Sequence, residues 1–217
     1  MATATSEIAP FEPSTSPEIA HQGSSADRLF RISLDLYNRM GELGLLSPSD
    51  RVELLDGLLV NKMTKGPRHS FAVIAAQDLL KDRLPAGYHY RTETPVELRR
   101  GPGGDSAPEP DLSVVRGTKH EYRDRNPVAA DVLLFIEVAD SSLADDRKGL
   151  RRCAWFGIPT TWIINLRAGT VEVYTGPSGP SNDPGYANKV TRTIGESLDV
   201  TLDDRVVEGL AVAELFG

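Results

Sequence analysis

The segment DVLLFIEVA, residues 131–139, constrains the fold more than any other part of the sequence. Its apolar run is nearly continuous, which is typical of a strand that is buried on both faces. A capped helical pattern, SSLADDRKGLRRCAWFG, comes next, and a second apolar run, TTWIINL, follows at 160–166. A strand, a helix and a strand in this order form a right-handed crossover. The sequence therefore predicts that the two strands lie parallel in one sheet.

Other patterns place further helices and strands around this unit. Ser33 is suited to cap a first helix that Gly44 ends, and Asp56-Gly57 between two apolar runs predicts a hairpin. The remaining predictions are a helix over SFAVIAAQDLLKDRL, strands at 88–98, 111–115 and 170–176, a loop at 101–110, and two strands and a short helix after Ala187. Together they predict an α/β (α+β) fold, with a mixed β-sheet flanked by helices.

The N-terminal residues differ in composition from the rest of the chain. Residues 1–27 are rich in Ser, Thr, Pro, Ala and Glu with little apolar periodicity, and we predict a disordered tail there. Residues 28–217 are expected to form a single domain, since a chain of this length suits one hydrophobic core.

Charge and cysteine content restrict the class of protein. The net charge of −7, from 24 Lys and Arg against 31 Asp and Glu, argues against a generic nucleic-acid coat protein. It does not exclude a nuclease, because a site that gathers carboxylates around a cation is itself acidic. No apolar run is long enough to cross a bilayer, no secretory signal is evident, and Cys153 is the single cysteine. These features predict a cytoplasmic protein.

Three carboxylates at the ends of predicted strands carry the chemical hypothesis: Glu53, Asp111 and Glu137. Glu137 is the most informative, because a carboxylate within so apolar a strand is costly unless a cation or hydrogen bonds compensate it. Hard cations such as Mg²⁺ take carboxylate oxygens, water and phosphate oxygens as ligands. Taken alone, Glu53 also fits a solvated residue at a strand end, and Asp111 a turn residue after a proline.

Basic residues on the following helix offer partners for Glu137. Lys148 is the candidate that would act on a metal-bound water or on a phosphate. The alternative is a structural salt bridge between Glu137 and one of the cations on that helix, Arg147, Lys148 or Arg151. Asp146 fits an acidic first turn of the helix, and His69 fits either an exposed helix start or a residue near the site.

The order of segments RVELLDG, GPRHS, EPDLSVV, LLFIEVADSS, GIPTTWIINL and VEVYTGP resembles the Uma-type restriction endonucleases of the PD-(D/E)XK nuclease superfamily. The resemblance runs from about residue 28 to the C-terminus. It implies a restriction-endonuclease-like fold, Asp111 and Glu137 as metal ligands, and Glu53 as an additional acidic residue near the site. The hardness of the carboxylate oxygens favours Mg²⁺ as the metal, with Mn²⁺ as the second candidate. It also implies DNA as the substrate and a homodimer.

This sequence departs from the pattern of that superfamily at the lysine. The superfamily's lysine lies two residues after the second acid, where this chain has Ala139. A lysine on the next helix takes over in the family, and Lys148 is the nearest match, one residue out of phase. A tyrosine of the family's helix is replaced here by Cys153.

Three hypotheses follow. The first is a Mg²⁺-dependent endonuclease that cleaves DNA with Glu53, Asp111, Glu137 and Lys148. The second is a degenerate nuclease fold that has become a binding or regulatory module, as the lysine position and acidic charge would allow. The third is a structural dimeric protein without a ligand.

Overall fold

The computed structural model describes residues 29–217. The predicted tail, residues 1–27, lies outside the described residues. Residues 31–217 form one compact unit. Within the described residues, no helix is both long and apolar enough to span a membrane.

A six-stranded sheet forms the centre of this unit, in the order β10-β9-β8-β7-β6-β3. Its strands are β3 Tyr88–Thr92, β6 Leu112–Arg116, β7 Val132–Ala139, β8 Thr160–Asn165, β9 Thr170–Pro177 and β10 Tyr186–Thr193. The predicted pairing of β7 with β8 is confirmed: the two strands are parallel, with Glu137 opposite Ile163. The other neighbours in the sheet are antiparallel, so the sheet is mixed.

Within residues 29–217, three α-helices accompany the sheet: α1 Leu34–Glu42, α2 Pro67–Lys81 and α3 Leu143–Trp155. The predicted cap of α1 is confirmed, because the Ser33 side chain accepts a hydrogen bond from the Leu36 backbone N–H over 3.2 Å. Gly44 has φ +70° just after the helix, the left-handed conformation that favours glycine at this position.

The central sheet is buried on both faces, as the apolar run of β7 predicts. Leu134, Ile136 and Val138 pack in the main core with the buried residues of α2. Phe135 alternates with them and packs with Cys153 of α3 in a second cluster. Because side chains alternate along a strand, Glu137 lies on the same face as Phe135, the face that α3 covers. This alternation directs a carboxylate into the space beneath α3.

Three two-stranded hairpins extend the fold: β1 Val52–Leu55 with β2 Leu58–Asn61, β4 Leu98–Gly101 with β5 Gly104–Ser106, and β11 Ser197–Leu202 with β12 Arg205–Ala211. The first is the predicted hairpin. Its turn residues Asp56 and Gly57 have φ of +51° and +76°, the positive pair that a type I′ turn needs.

Three boundaries differ from the prediction. The strand predicted over 88–98 ends at Thr92, and β4 begins only at Leu98; between them Pro95 offers no N–H to a ladder. The segment 101–110, predicted as a loop, contains β5. After Gly185 the chain forms three strands rather than two, and the short helix Val212–Leu215 that follows is a 3₁₀ turn.

Candidate active site

A cavity of about 490 Å³ lies between the β1–β2 hairpin, the start of α2 and one side of α3. Glu53, Asp111 and Glu137 all line it. The structure therefore brings together the three carboxylates that the sequence singles out. Their sequence separation is long, and only the pairing of β6 with β7 and the docking of the hairpin make them neighbours.

Asp111 directly precedes β6 and is only 3% exposed. Its Oδ2 accepts hydrogen bonds from the Val138 backbone N–H over 2.8 Å and from Nε2 of His69 at 3.1 Å. Its Oδ1 accepts a hydrogen bond from Nζ of Lys65 over 2.6 Å. Burial by itself would raise the pKa of Asp111, but His69 and Lys65 outweigh burial and hold the pKa below its ordinary value. Asp111 is therefore an ionised carboxylate held in one orientation.

Glu137 is the carboxylate with the least compensation. Its closest polar partner is the Asp111 backbone N–H, at 3.5 Å from Oε2. Among residues 29–217, no basic side chain lies within 4.0 Å of it. Burial, and then the charges of Asp111, Asp146 and Glu53, raise the pKa of Glu137 well above its usual range. A cation in the cavity would remove this penalty.

The alternative of a structural salt bridge at Glu137 does not match the structure. The three cations of α3 considered for it each pair with another carboxylate: Arg147 with Glu172, Lys148 with Asp145 and Arg151 with Asp183.

Glu53 reaches the cavity from β1 of the hairpin. Its Oε2 accepts a hydrogen bond from the Glu109 backbone N–H over 3.1 Å. Burial raises the pKa of Glu53, although this hydrogen bond acts against it. The hairpin is attached to α3 by Arg152, whose Nη2 donates to Asp56 Oδ2 over 2.8 Å. The position of Glu53 thus depends on a contact made at the turn of its hairpin.

Lys148 is the one predicted site residue that the structure does not bring into the cavity. Its side chain is 77% exposed, and its Nζ donates to Asp145 Oδ1 over 2.7 Å. The next residue, Gly149, lines the cavity. Successive helical residues are rotated by about 100°, so a shift of one residue directs the lysine away from the carboxylates. The predicted placement of Lys148 is corrected accordingly.

Two lysines that no sequence pattern marks line the cavity instead. Lys65 contacts Asp111 as described, and Lys62 pairs with Glu109. Both lie in the segment NKMTKGP between β2 and α2, which has no apolar periodicity to mark it. His69 belongs to the site, since it is 8% exposed and contacts Asp111.

Asp146 is a further carboxylate in the wall of the cavity. Burial raises its pKa to about 6, and the negative charge of Asp111 acts in the same direction. The hydroxyl of Ser142 donates a hydrogen bond to its Oδ2 over 2.7 Å and partly opposes this rise in pKa. Asp146 therefore contributes to the excess negative charge around Glu137.

The carboxylate oxygens in the cavity are ligands of the kind that a hard cation binds. Within the described part of the chain, no three His, Cys, Asp or Glu side chains are arranged as a ready metal site. Asp111 and Glu137 supply two adjacent carboxylates, and Mg²⁺ is commonly bound by one or two carboxylates with water and substrate oxygens completing its shell. Among the described residues, no cation forms an ion pair with Glu137. The residues present thus fit a Mg²⁺ or Mn²⁺ ion.

The mixed sheet, with its carboxylates beside β6 and at Glu137 of β7, defines a protein with a nuclease-like fold. The fold matches a crystal structure described as "a putative nuclease belonging to DUF820 from Anabaena variabilis ATCC 29413", with a TM-score of 0.62 and 18% identity over 85% of this chain and 97% of that chain. The model of the Uma2 family, described as "Putative restriction endonuclease", matches residues 34–211. The chain belongs to the Uma2 family. No curated protein matches it.

Proposed function

We propose that this protein is a Mg²⁺-dependent endonuclease that hydrolyses phosphodiester bonds in DNA, with Asp111 and Glu137 as the metal-binding carboxylates. The observation that carries the proposal is the uncompensated Glu137 carboxylate beside the oriented carboxylate of Asp111. The family description and the nuclease-like fold support the same activity. Mn²⁺ is expected to replace Mg²⁺, because both take oxygen ligands.

Different residues of the chain have different roles at the proposed metal site. The Val138 N–H and His69 orient Asp111, and Glu53 adds negative charge on the hairpin side. A metal ion bound to Asp111 and Glu137 would lower the pKa of a water and offset charge on the scissile phosphate. The buried setting of Asp111 excludes competing solvent from its Oδ2.

A larger cleft next to the cavity supports a polymeric substrate. This cleft has a volume of about 1020 Å³ and shares Lys62 and Glu109 with the walls of the cavity. It carries Arg91, Arg123 and Arg125, side chains of the kind that contact phosphates along a nucleic-acid backbone.

A plasmid-nicking assay tests the proposal. The purified protein is incubated with supercoiled DNA in Mg²⁺, in Mn²⁺ and in EDTA, beside Asp111→Asn and Glu137→Gln. We expect nicking with either metal, none in EDTA, and a loss of at least about 10²-fold in each variant. Cleavage that persists in EDTA or in both variants would refute it. Circular dichroism of both variants controls for folding.

A second candidate function is a metal-free binding module. The observation that favours it is the Lys65–Asp111 pair, which neutralises one carboxylate without any metal. This candidate predicts no measurable binding of Mg²⁺ by calorimetry, whereas tight binding that Glu137→Gln abolishes would contradict it. The homodimer remains a prediction, and light scattering of the purified protein would test it.

A further inference from the structure

Lys65 occupies a specific position at the candidate metal site. It lies two residues before α2, and its side chain is 33% exposed. Its Nζ donates to Asp111 Oδ1 and to Glu93 Oε1, each over 2.6 Å. Glu93 is itself half exposed. The ammonium group of Lys65 therefore bridges a buried carboxylate and a solvated one at the wall of the cavity.

Two donors other than Lys65 also hold Asp111. The other oxygen, Oδ2, already has two donors in the Val138 N–H and His69, and both come from the packed interior. Lys65 contacts Oδ1, the oxygen that these donors leave free and that a metal ion would use. A lysine head group on a flexible stem can move between neighbouring acceptors at little cost.

The other cations near the cavity are engaged elsewhere. Lys62 pairs with Glu109, and Arg152 pairs with Asp56 while only 15% exposed. Lys148 pairs with Asp145, and its own side chain is 77% exposed and is not part of the cavity wall. Among residues 29–217, Lys65 is thus the lysine in contact with a proposed metal-binding carboxylate.

We propose that Lys65 is a catalytic residue that contacts the scissile phosphate, the role expected of Lys148, and that it shares Asp111 Oδ1 with the metal. This inference rests on the proposed nuclease function. In the hydrolysis, water forms a bond from its oxygen to phosphorus, the bond from phosphorus to the leaving oxygen breaks, and the leaving oxygen takes a proton from the water. Lys65 keeps its proton throughout and donates hydrogen bonds to the non-bridging oxygens, where negative charge grows.

The first test compares nicking rates of Lys65→Met, Lys65→Arg and Lys148→Met in Mg²⁺. Loss of one such donor typically lowers kcat by about 10²-fold, and we expect that loss in Lys65→Met. Lys65→Arg should recover part of the rate because it keeps the charge, and Lys148→Met should stay within about 2-fold of the wild type. A fully active Lys65→Met, or an equal loss in Lys148→Met, would overturn the inference.

The second test measures Mg²⁺ binding by calorimetry without DNA. Removing the competing ammonium should tighten Mg²⁺ binding by Lys65→Met about 5-fold relative to the wild type. The tightening should vanish when Asp111→Asn is added. Unchanged or weaker binding in Lys65→Met, or no Mg²⁺ binding by the wild type, would overturn the shared site. A third outcome is a wild type that never nicks DNA but binds Mg²⁺ more weakly than Lys65→Met. This outcome would refute the nuclease function and the catalytic role of Lys65. The proposal that Lys65 and the metal share Asp111 Oδ1 would stand.

Discussion

The backbone N–H of Val138 donates a hydrogen bond to Asp111 Oδ2 over 2.8 Å. This bond connects the residue before β6 to β7 at the position next to Glu137. It fixes the Asp111 carboxylate relative to the backbone of β7, next to the residue that carries the second carboxylate. The candidate site is thereby organised before any ligand arrives.

The Val138–Asp111 bond predicts different costs for two substitutions of Asp111. Asp111→Ala removes a buried acceptor and should lower the free energy of unfolding by about 1–3 kcal/mol. Asp111→Asn keeps an oxygen that can accept from Val138 and should cost clearly less. Urea unfolding monitored by circular dichroism would measure both, and equal losses would show that this hydrogen bond does not orient the carboxylate.

The raised pKa of Asp146 predicts that the free energy of unfolding depends on pH. Its ordinary pKa is 3.8, and burial, followed by the charge of Asp111, raises the pKa to about 6 in the folded protein. The folded state therefore binds the proton more tightly than the unfolded chain. As pH rises from about 4 to about 6, the free energy of unfolding falls, and it stays at the lower value above pH 6.

The matching substitution is Asp146→Asn, which removes this titration and keeps an acceptor for Ser142. We expect it to stabilise the protein in EDTA by about 1–2 kcal/mol above pH 6, after allowance for solvent screening, and to have no such effect near pH 4. Thermal unfolding from pH 4 to pH 8 would measure this. A gain of the same size at every pH would mean that the charge of Asp146 is not the cause.

The contact between Arg152 and Asp56 is expected to limit the motion of the β1–β2 hairpin, which carries Glu53 into the cavity. Arg152→Met breaks the contact with Asp56 and should loosen the hairpin that carries Glu53, with hydrogen exchange over residues 52–61 rising about 10-fold. Arg151→Met is the matched control, because Arg151 is 56% exposed and pairs with the 89% exposed Asp183. Equal exchange in the two variants would contradict the coupling.

Cys153 is expected to be inert in the folded protein. Burial raises the pKa of its thiol to about 12, and thiolate is the reactive form. Iodoacetamide at pH 8 should leave the native protein unmodified over hours and modify it fully in urea, as mass spectrometry would measure. Rapid modification of the native protein would show that the wall of the cavity opens at Cys153.

Local patterns predict most of the central fold, and they single out three carboxylates that line one cavity. The apolar run of β7, the Asp56-Gly57 turn and the Ser33 cap each depend on neighbours in sequence, and each prediction is confirmed. The segment 101–110 was predicted as a loop because it is rich in Gly and Pro. It holds a strand because β5 pairs with β4 and the Ser106 side chain accepts a hydrogen bond from the Asp56 backbone N–H, a contact from a distant part of the chain.

The sequence by itself determined the carboxylates, because the cost of placing Glu137 in an apolar strand is a local property. Only the tertiary structure decided which lysine contacts Asp111. Lys65 lies 46 residues before Asp111 in a segment with no periodic pattern, whereas Lys148 lies on the expected helix and points outward. A rotation of one helical residue separates a side chain in the cavity from one in solvent, and that phase is set by the packing of α3 on the sheet.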